Sequence, residues 1–302
     1  MRKLWRAMAI FLNAALLIAC SSGAEQIELE SNLKELIARA KRDQVYIEGG
    51  TFVMGDFGAV QNGQWLPYFP PTAEMDAAHT VELSSFSLSS YETTWKDYDT
   101  YSLIHDKPIV IRGGGEEYPR EPYLQNLEHD YDLRKPARVT WQEAKDYCLW
   151  LGDETGIAFD LPTSAQWEYA ARNRGSKDWI YPTDDGKATP NEARRGGEGC
   201  IYWTGVCSVG TDLPPNPLGL YDMAGNEEEW VEDWYSETYY RESDGAVNPA
   251  GPPEGTQKEV RSLETGSLSF SFSRRAMPPM LSNGSTALAG FRCAVQSSQP
   301  IR

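Results

Sequence analysis

Histidine is nearly absent from this 302-residue chain: His79, His105 and His129 are the whole supply, all in its first half. Three scattered imidazoles do not assemble a Ser–His–Asp set or a histidine metal triad. No C-x-x-C pair occurs, and no cysteine lies between Cys207 and Cys293, so a thiolate metal site has no ligands in that stretch. A lysine-bearing phosphate loop is missing too. Positive charge is scarce: 28 Lys and Arg face 44 Asp and Glu, a net charge of −16. Such a chain repels nucleic acid and anionic lipid, which leaves cations and basic protein surfaces as fitting partners. Beyond residue 19 no apolar run is long enough to span a bilayer.

What is there begins with an address. Arg2, Lys3 and Arg6 precede an apolar run from Ala7 to Ala19, too short for a comfortable span and ending in a small residue before cysteine. Leu17-Ile18-Ala19-Cys20 resembles a bacterial lipobox, which implies cleavage of residues 1–19 and acylation of Cys20. Two or three acyl chains anchor stably, where one is marginal. Ser21 rather than Asp follows, which implies sorting to the outer membrane, facing the periplasm. An ordinary cleaved signal with an incidental cysteine is the plainer alternative. Cleavage removes three positive charges and no negative ones, leaving a net charge near −19.

The remaining chain suits one loop-rich domain: ten Trp and sixteen Tyr supply core volume, while 26 Gly and 19 Pro break it into turns. Cys148, Cys200, Cys207 and Cys293 form an even set, which in an exported protein favours disulfides. Three pairings are open. Cys200 and Cys207 stand close enough to staple one loop, which would leave Cys148 for Cys293.

Residues 20–43 read as a lipidated tether and a short helix, with Leu29, Leu33, Leu36 and Ile37 on one face. Val45 to Gly55 alternates about Gly49-Gly50 and predicts a strand hairpin. His79 to Leu88 gives further strands, and Thr94 caps a helix carrying Trp95, Tyr98 and Tyr101. From Ile104 to Lys135 the chain looks irregular, as a binding loop or mobile segment would. Thr140 with Glu143 makes a capping box for a helix whose Ala144, Cys148 and Leu151 share one face. A further helix starts at Thr163, with Trp167, Ala170 and Ala171 inward.

The stretch from Pro215 to Trp230 organises the rest. Turn formers alternate with large apolar residues, as in an ordered loop pinned by buried side chains. Asp222, Glu227, Glu228 and Glu229 crowd a Gly225-Asn226 turn. Carboxylates this close repel unless water spreads the charge or a cation neutralises it, and a hard ion such as calcium, taking carboxylate and backbone oxygens, is the evident candidate. A solvated acidic turn is the plain alternative.

Four motifs in order carry a family likeness: Gly50-Thr51-Phe52-Val53-Met54-Gly55; Val139-Thr140-Trp141 through Cys148 to Leu161-Pro162-Thr163 and Trp167-Glu168-Tyr169-Ala170-Ala171-Arg172; Asn216 through Gly219-Leu220-Tyr221-Asp222-Met223 to Glu229-Trp230; and Gly290-Phe291-Arg292-Cys293-Ala294. The chain resembles the formylglycine-generating-enzyme, or sulfatase-modifying-factor, family over residues 44–297, leaving 298–302 as a tail. The resemblance implies a mixed, loop-rich α/β fold, a variant of the C-type lectin fold. It implies a structural calcium held by the Asp222 side chain, the carbonyls of Gly225 and Glu227, and the Glu229 side chain. It also implies a Cys148–Cys293 disulfide. A second calcium, near Asn191, is not claimed, because its other ligands do not match.

The family's oxidases hold copper with two cysteines in the region that here lacks them, so neither copper nor iron is expected. The resemblance therefore implies a lipid-anchored scaffold that binds a periplasmic protein or peptide, in a setting such as secretion or envelope machinery. The alternative is a modifying enzyme or oxidoreductase working without that pair, with Glu264, Ser269, Arg274 and Arg275 as candidate cleft residues.

Overall fold

The computed structural model describes residues 23, 25–58, 60–62, 64–65, 74–113, 116–187, 206–262, 272, 274–279 and 287–301. Cys20, Asn191, Cys200, Glu264 and Ser269 lie outside the described residues. The helices are α1 over residues 25–42, α2 Trp95–Ile104, α3 Trp141–Thr155, α4 Ser164–Ala171 and α5 Tyr239–Glu242. The strands are short: β1 Gln44–Ile47, β2 Gly50–Met54, β3 Val60–Gln61, β4 Gln64–Trp65, β5 His79–Leu83, β6 Phe86–Ser89, β7 Val110–Gly113, β8 Glu116–Pro119, β9 Phe159–Asp160, β10 Glu229–Trp234, β11 Lys258–Arg261, β12 Arg275–Met277 and β13 Ala294–Val295. A four-stranded sheet runs β1-β6-β13-β9 and a three-stranded one β10-β11-β12, with two-stranded ribbons β2-β5, β3-β4 and β7-β8. This is a mixed α/β fold with sparse regular structure. None of the described helices is long and apolar enough to cross a membrane.

Local chemistry sets the helix starts. Thr94 accepts the Asp97 N–H, and both Thr140/Glu143 and Thr163/Gln166 close reciprocal capping boxes on α3 and α4. Gly156, at φ 68°, ends α3 in the left-handed region that glycine enters without a Cβ clash. Ala144, Tyr147, Cys148 and Leu151 turn inward from α3. Cys148 is bonded to Cys293, which ties that helix to the segment entering β13.

The expected hairpin across Gly49-Gly50 does not form. β1 pairs with β6, and β2 with β5, so the Gly-Gly step is where the chain passes from one sheet to another. A matching bend at Ser84-Ser85 lies against it: a Cβ on Gly49 would stand 2.2 Å from the Leu83 carbonyl oxygen. Two bends pressed backbone to backbone leave no room for a side chain, which explains the glycine. The irregular stretch from 104 to 135 also departs from expectation, since it contains the β7–β8 ribbon. Arg112 forks onto Glu143 of α3 at 2.6 and 2.7 Å, and the buried Asp99 of α2 holds Arg120 and the Tyr123 N–H.

Two apolar clusters fill the interior. One gathers α2, α3 and Phe291 around Trp95, Tyr101, Tyr147 and Trp150, and α1 docks on it through Leu33, Leu36, Ile37 and Ala40. Leu36 is fully buried, worth about 1.5–3 kcal/mol. An Arg39–Asp97 ion pair and a Lys96–Glu35 pair at 2.6 Å fix the helix to α2. The other cluster packs Trp167 and Tyr169 of α4 against β2, β5, β6, Leu220 and Met223.

Candidate functional site

The loop from Pro215 to Trp230 enters the core as a chain of turns. Gly219, Asp222, Gly225 and Asn226 all take positive φ, at 87°, 58°, 126° and 61°. Asn216 holds the first turn, accepting from the Leu218 and Leu220 N–H groups and donating to the Ala170 carbonyl. Leu220 and Met223 are buried behind it. Two non-glycine residues in the left-handed region cost conformational energy, and packing on both sides holds them there.

The carboxylates of this loop are not a solvated turn. Asp222, Glu227, Glu228 and Glu229 are all at most 4 % exposed. Arginines from three distant segments neutralise the three glutamates. Arg138 Nε lies 3.3 Å from Glu227 Oε2, Arg275 pairs with Glu228, and Arg292 forks onto Glu229 at 2.6 and 2.8 Å. Trp167 Nε1 donates to Glu229 Oε2 as well, at 3.0 Å. Buried carboxylates of this kind survive only with such partners.

Two carboxyls are left over. Asp222 Oδ2 accepts the Gly210 N–H, while its buried Oδ1 has no hydrogen-bond partner among the described residues. Glu92, three residues before α2, accepts from Asn226 Nδ2 at 2.6 Å through Oε2, and its Oε1 is likewise buried with no hydrogen-bond partner among the described residues. Burial, chiefly, raises the Asp222 carboxyl to about 7, against the pull of the Gly210 N–H and Arg292. Burial first, then the nearby Asp222 and Glu229 carboxylates, push Glu92 well above the ordinary range. Both groups are short of positive charge, so the donor chemistry fits a hard cation at Asp222. Among the described residues, no three His, Cys, Asp or Glu side chains group closely enough to hold a metal. A cation here therefore needs backbone oxygens, which the Gly225 and Glu227 carbonyls would provide. Glu229 Oε2 already takes Trp167 and Arg292, but Oε1, which accepts only from Arg292, keeps a second lone pair.

A second ionic cluster ties α4 to Gly55 and to β11. Glu168 of α4 accepts from Gly55 N at 2.8 Å, Arg172 Nε at 2.9 Å and Arg261 Nη2 at 2.7 Å. This explains the Trp-Glu-Tyr-Ala-Ala-Arg motif: Arg172 also donates to the Gly55 carbonyl and stacks on Phe57 and Phe272. Arg274 is buried, bonded to Asp76 at 2.8 Å and Glu259 at 3.2 Å, and stacked on Tyr240. It is a wall strut rather than a cleft side chain. Arg275 is half-exposed and belongs to Glu228. Glu264 and Ser269 fall outside the described residues.

Asp233, on β10 beside Glu259, accepts the Ser164 N–H at 2.8 Å. Burial, then the Glu259 charge, raise it to about 8. The folded protein thus binds this proton more tightly than the unfolded chain, whose aspartates titrate near 4. Its contribution is largest at the acid end and is lost as pH rises from about 4 through about 8. Urea midpoints should fall across that window by at most about 1.4 kcal/mol per pH unit, and Asp233→Asn should flatten the slope. An unchanged slope in that variant would assign the dependence elsewhere.

Cys207 is disulfide-bonded; Cys200, its expected partner, is outside the described residues. Sequence reasoning passed over Glu92 and Arg138. Neither has a local signal, because the contacts that give them a role close across 134 and 89 residues.

The family described as Sulfatase-modifying factor enzyme 1-like domain matches residues 31–297, which takes in most of α1. The chain is 30 % identical over 203 residues to the formylglycine-generating enzyme of Bos taurus, covering 62 % of this chain and 50 % of that protein. It is 36 % identical over 106 residues to the inactive C-alpha-formylglycine-generating enzyme 2 of Bos taurus, covering 33 % of each. It therefore spans half the length of the first relative and a third of the second. Among solved structures, PvdO from Pseudomonas aeruginosa is similar in fold, with a TM-score of 0.61 at 24 % identity, over 83 % of this chain and 93 % of that one.

Proposed function

Because the chain belongs to the sulfatase-modifying factor enzyme 1-like family, we propose that it keeps the family's cation-holding loop and uses the scaffold to bind rather than to catalyse. One observation carries this reading. The stretch between Cys207 and Cys293 has no cysteine, and Arg261, Arg274, Arg275 and Arg292 within it are tied up in buried or half-buried ion pairs. A soft copper ion has no thiolates to sit on there. The likeness to a relative named inactive supports the same reading.

The binding partner we propose is a protein or peptide of the periplasm, met by a lipoprotein anchored through Cys20 in the outer membrane, in a secretion or envelope assembly. Crosslinking of the full chain in the envelope, followed by capture, tests this. A specific partner supports it. Metal analysis gives the opposing outcome, since stoichiometric copper or iron in the purified protein would overturn it. Labelling with a radioactive fatty acid must disappear in Cys20→Ser.

Calcium is proposed as a structural ion held by Asp222, the carbonyls of Gly225 and Glu227, and Glu229. Bound there, it would supply the positive charge that Asp222 lacks. Chelation should lower the melting temperature, and Asp222→Ala should remove that response while the protein still melts cooperatively. A chelator without effect on the native chain would leave the loop's charge to its arginines alone.

A further inference from the structure

A cavity of about 550 Å³ lies between α1, the start of α2, the 208–211 turn and Tyr221. Its volume is in the range of small-ligand sites, roughly 300–1,000 Å³. Leu36, Ala40, Leu133 and Leu151 give it aliphatic walls. The rings of Tyr91 and Tyr221, stacked 4.7 Å apart, form another.

The charges around this cavity are matched, with one exception. Arg39 pairs with Asp97 and Glu35, Lys96 with Glu35, Arg42 with Asp43, and Arg134 with Asp132. Glu92 stands in the same wall, 2 % exposed, and has no ion pair among the described residues. Its Oε2 is held by Asn226, and its Oε1 has no hydrogen-bond partner among the described residues. Ser208, also in this wall, buries a hydroxyl that makes no hydrogen bond among the described residues.

We propose that this cavity receives a cationic group on an aliphatic stem, the chemistry of a lysine or arginine side chain, with Glu92 as its acceptor. The inference rests on reading the protein as a scaffold for a protein or peptide, and it names what that partner presents. The stem would lie along the leucines and the tyrosine faces, as long basic side chains do on apolar surface. The head would make a charge-assisted hydrogen bond to a carboxyl that now has only Asn226. The net charge of −16 attracts basic groups over longer distances.

The test is calorimetric titration of the full chain with n-hexylamine and n-butylguanidine, against n-hexanol, hexanoate and N-hexylacetamide, each with calcium and with chelator. The cations should bind one to one, at least about ten-fold tighter than the three controls, a difference of about 1.4 kcal/mol. The preference between amine and guanidine separates lysine from arginine. Glu92→Gln should weaken both by a similar factor, and Ala40→Phe, which fills the cavity and leaves Glu92 in place, should abolish binding. The wild-type ligand series decides the matter even if Glu92→Gln does not fold. Equal binding of hexanol or hexanoate, or no binding of either cation, overturns the proposal. So does binding that vanishes when calcium is added, because Oε1 then belongs to the loop's cation. If the cations fail while the envelope partner is still captured by Glu92→Gln, this inference falls and the scaffold reading stands. If they bind but no partner is captured, the reverse holds.

Discussion

Arg292→Met should cost the fold about 3–5 kcal/mol, the loss typical of removing one partner from a buried ion pair. The side chain is fully buried and forks onto Glu229 at 2.6 and 2.8 Å. It also donates to the carbonyls of Ser89, Ser90 and Tyr221, so one guanidinium joins β6, the acidic loop and the terminal motif. Without it Glu229 is charged and unpaired beside Asp222 and Glu92, which already lack positive charge. Methionine keeps the apolar stem but not the guanidinium, so the loss combines the charge with the hydrogen bonds it makes. Urea unfolding at neutral pH in chelator measures it. Adding Glu229→Leu to the variant should recover much of the loss, because the stranded charge is then gone. Calcium should recover part of it if the loop holds a cation. A loss below about 1 kcal/mol would show that solvent reaches Glu229 and that the cluster is not sealed.

The second large effect belongs to Cys148–Cys293. The bond closes a sequence separation of 145, and the loop-closure relation gives about 5 kcal/mol for a ring of that size. Cys148 is fully buried on α3, and Cys293 precedes β13, the strand between β6 and β9. The bond thus joins the first core cluster to the larger sheet, and the unfolded chain gains most by its loss. Comparing Cys148→Ala/Cys293→Ala with the parent, both in a Cys200→Ser/Cys207→Ser background, isolates this bridge. Unfolding midpoints should fall by the equivalent of about 4–5 kcal/mol. A change below about 1 kcal/mol would mean that the chain ends of this loop stay together without the bond.

Much of this architecture is legible along the chain. The starts of α2, α3 and α4 follow from Thr94, Thr140 and Thr163, whose hydroxyls reach backbone groups three residues on. The inward face of α3 follows from helical periodicity, and the ordered loop around Asp222 from its mixture of turn formers and large apolar residues. The crossing at Gly49-Gly50 was not legible. A Gly-Gly step between alternating stretches satisfies a hairpin and a sheet-to-sheet bend equally, and only the opposing bend at Ser84-Ser85 selects the second. The ribbon at β7–β8 was missed because β8 is exposed throughout and β7 only half-buried, with no buried face to set a period of two.

The sequence by itself determined that carboxylates crowd the Gly225-Asn226 turn and must be either solvated or neutralised, because residues five to seven apart in one loop cannot avoid each other's field. Only the tertiary structure decided what neutralises them. Glu227, Glu228 and Glu229 take Arg138, Arg275 and Arg292, and the shortfall moves to Asp222 and to Glu92, a residue without any local mark of function. The physical reason is that charge balance depends on distance in space. The chain reports charge density wherever it is local, but an ion pair closed across some fifty to ninety residues leaves no pattern for periodicity or spacing to reveal.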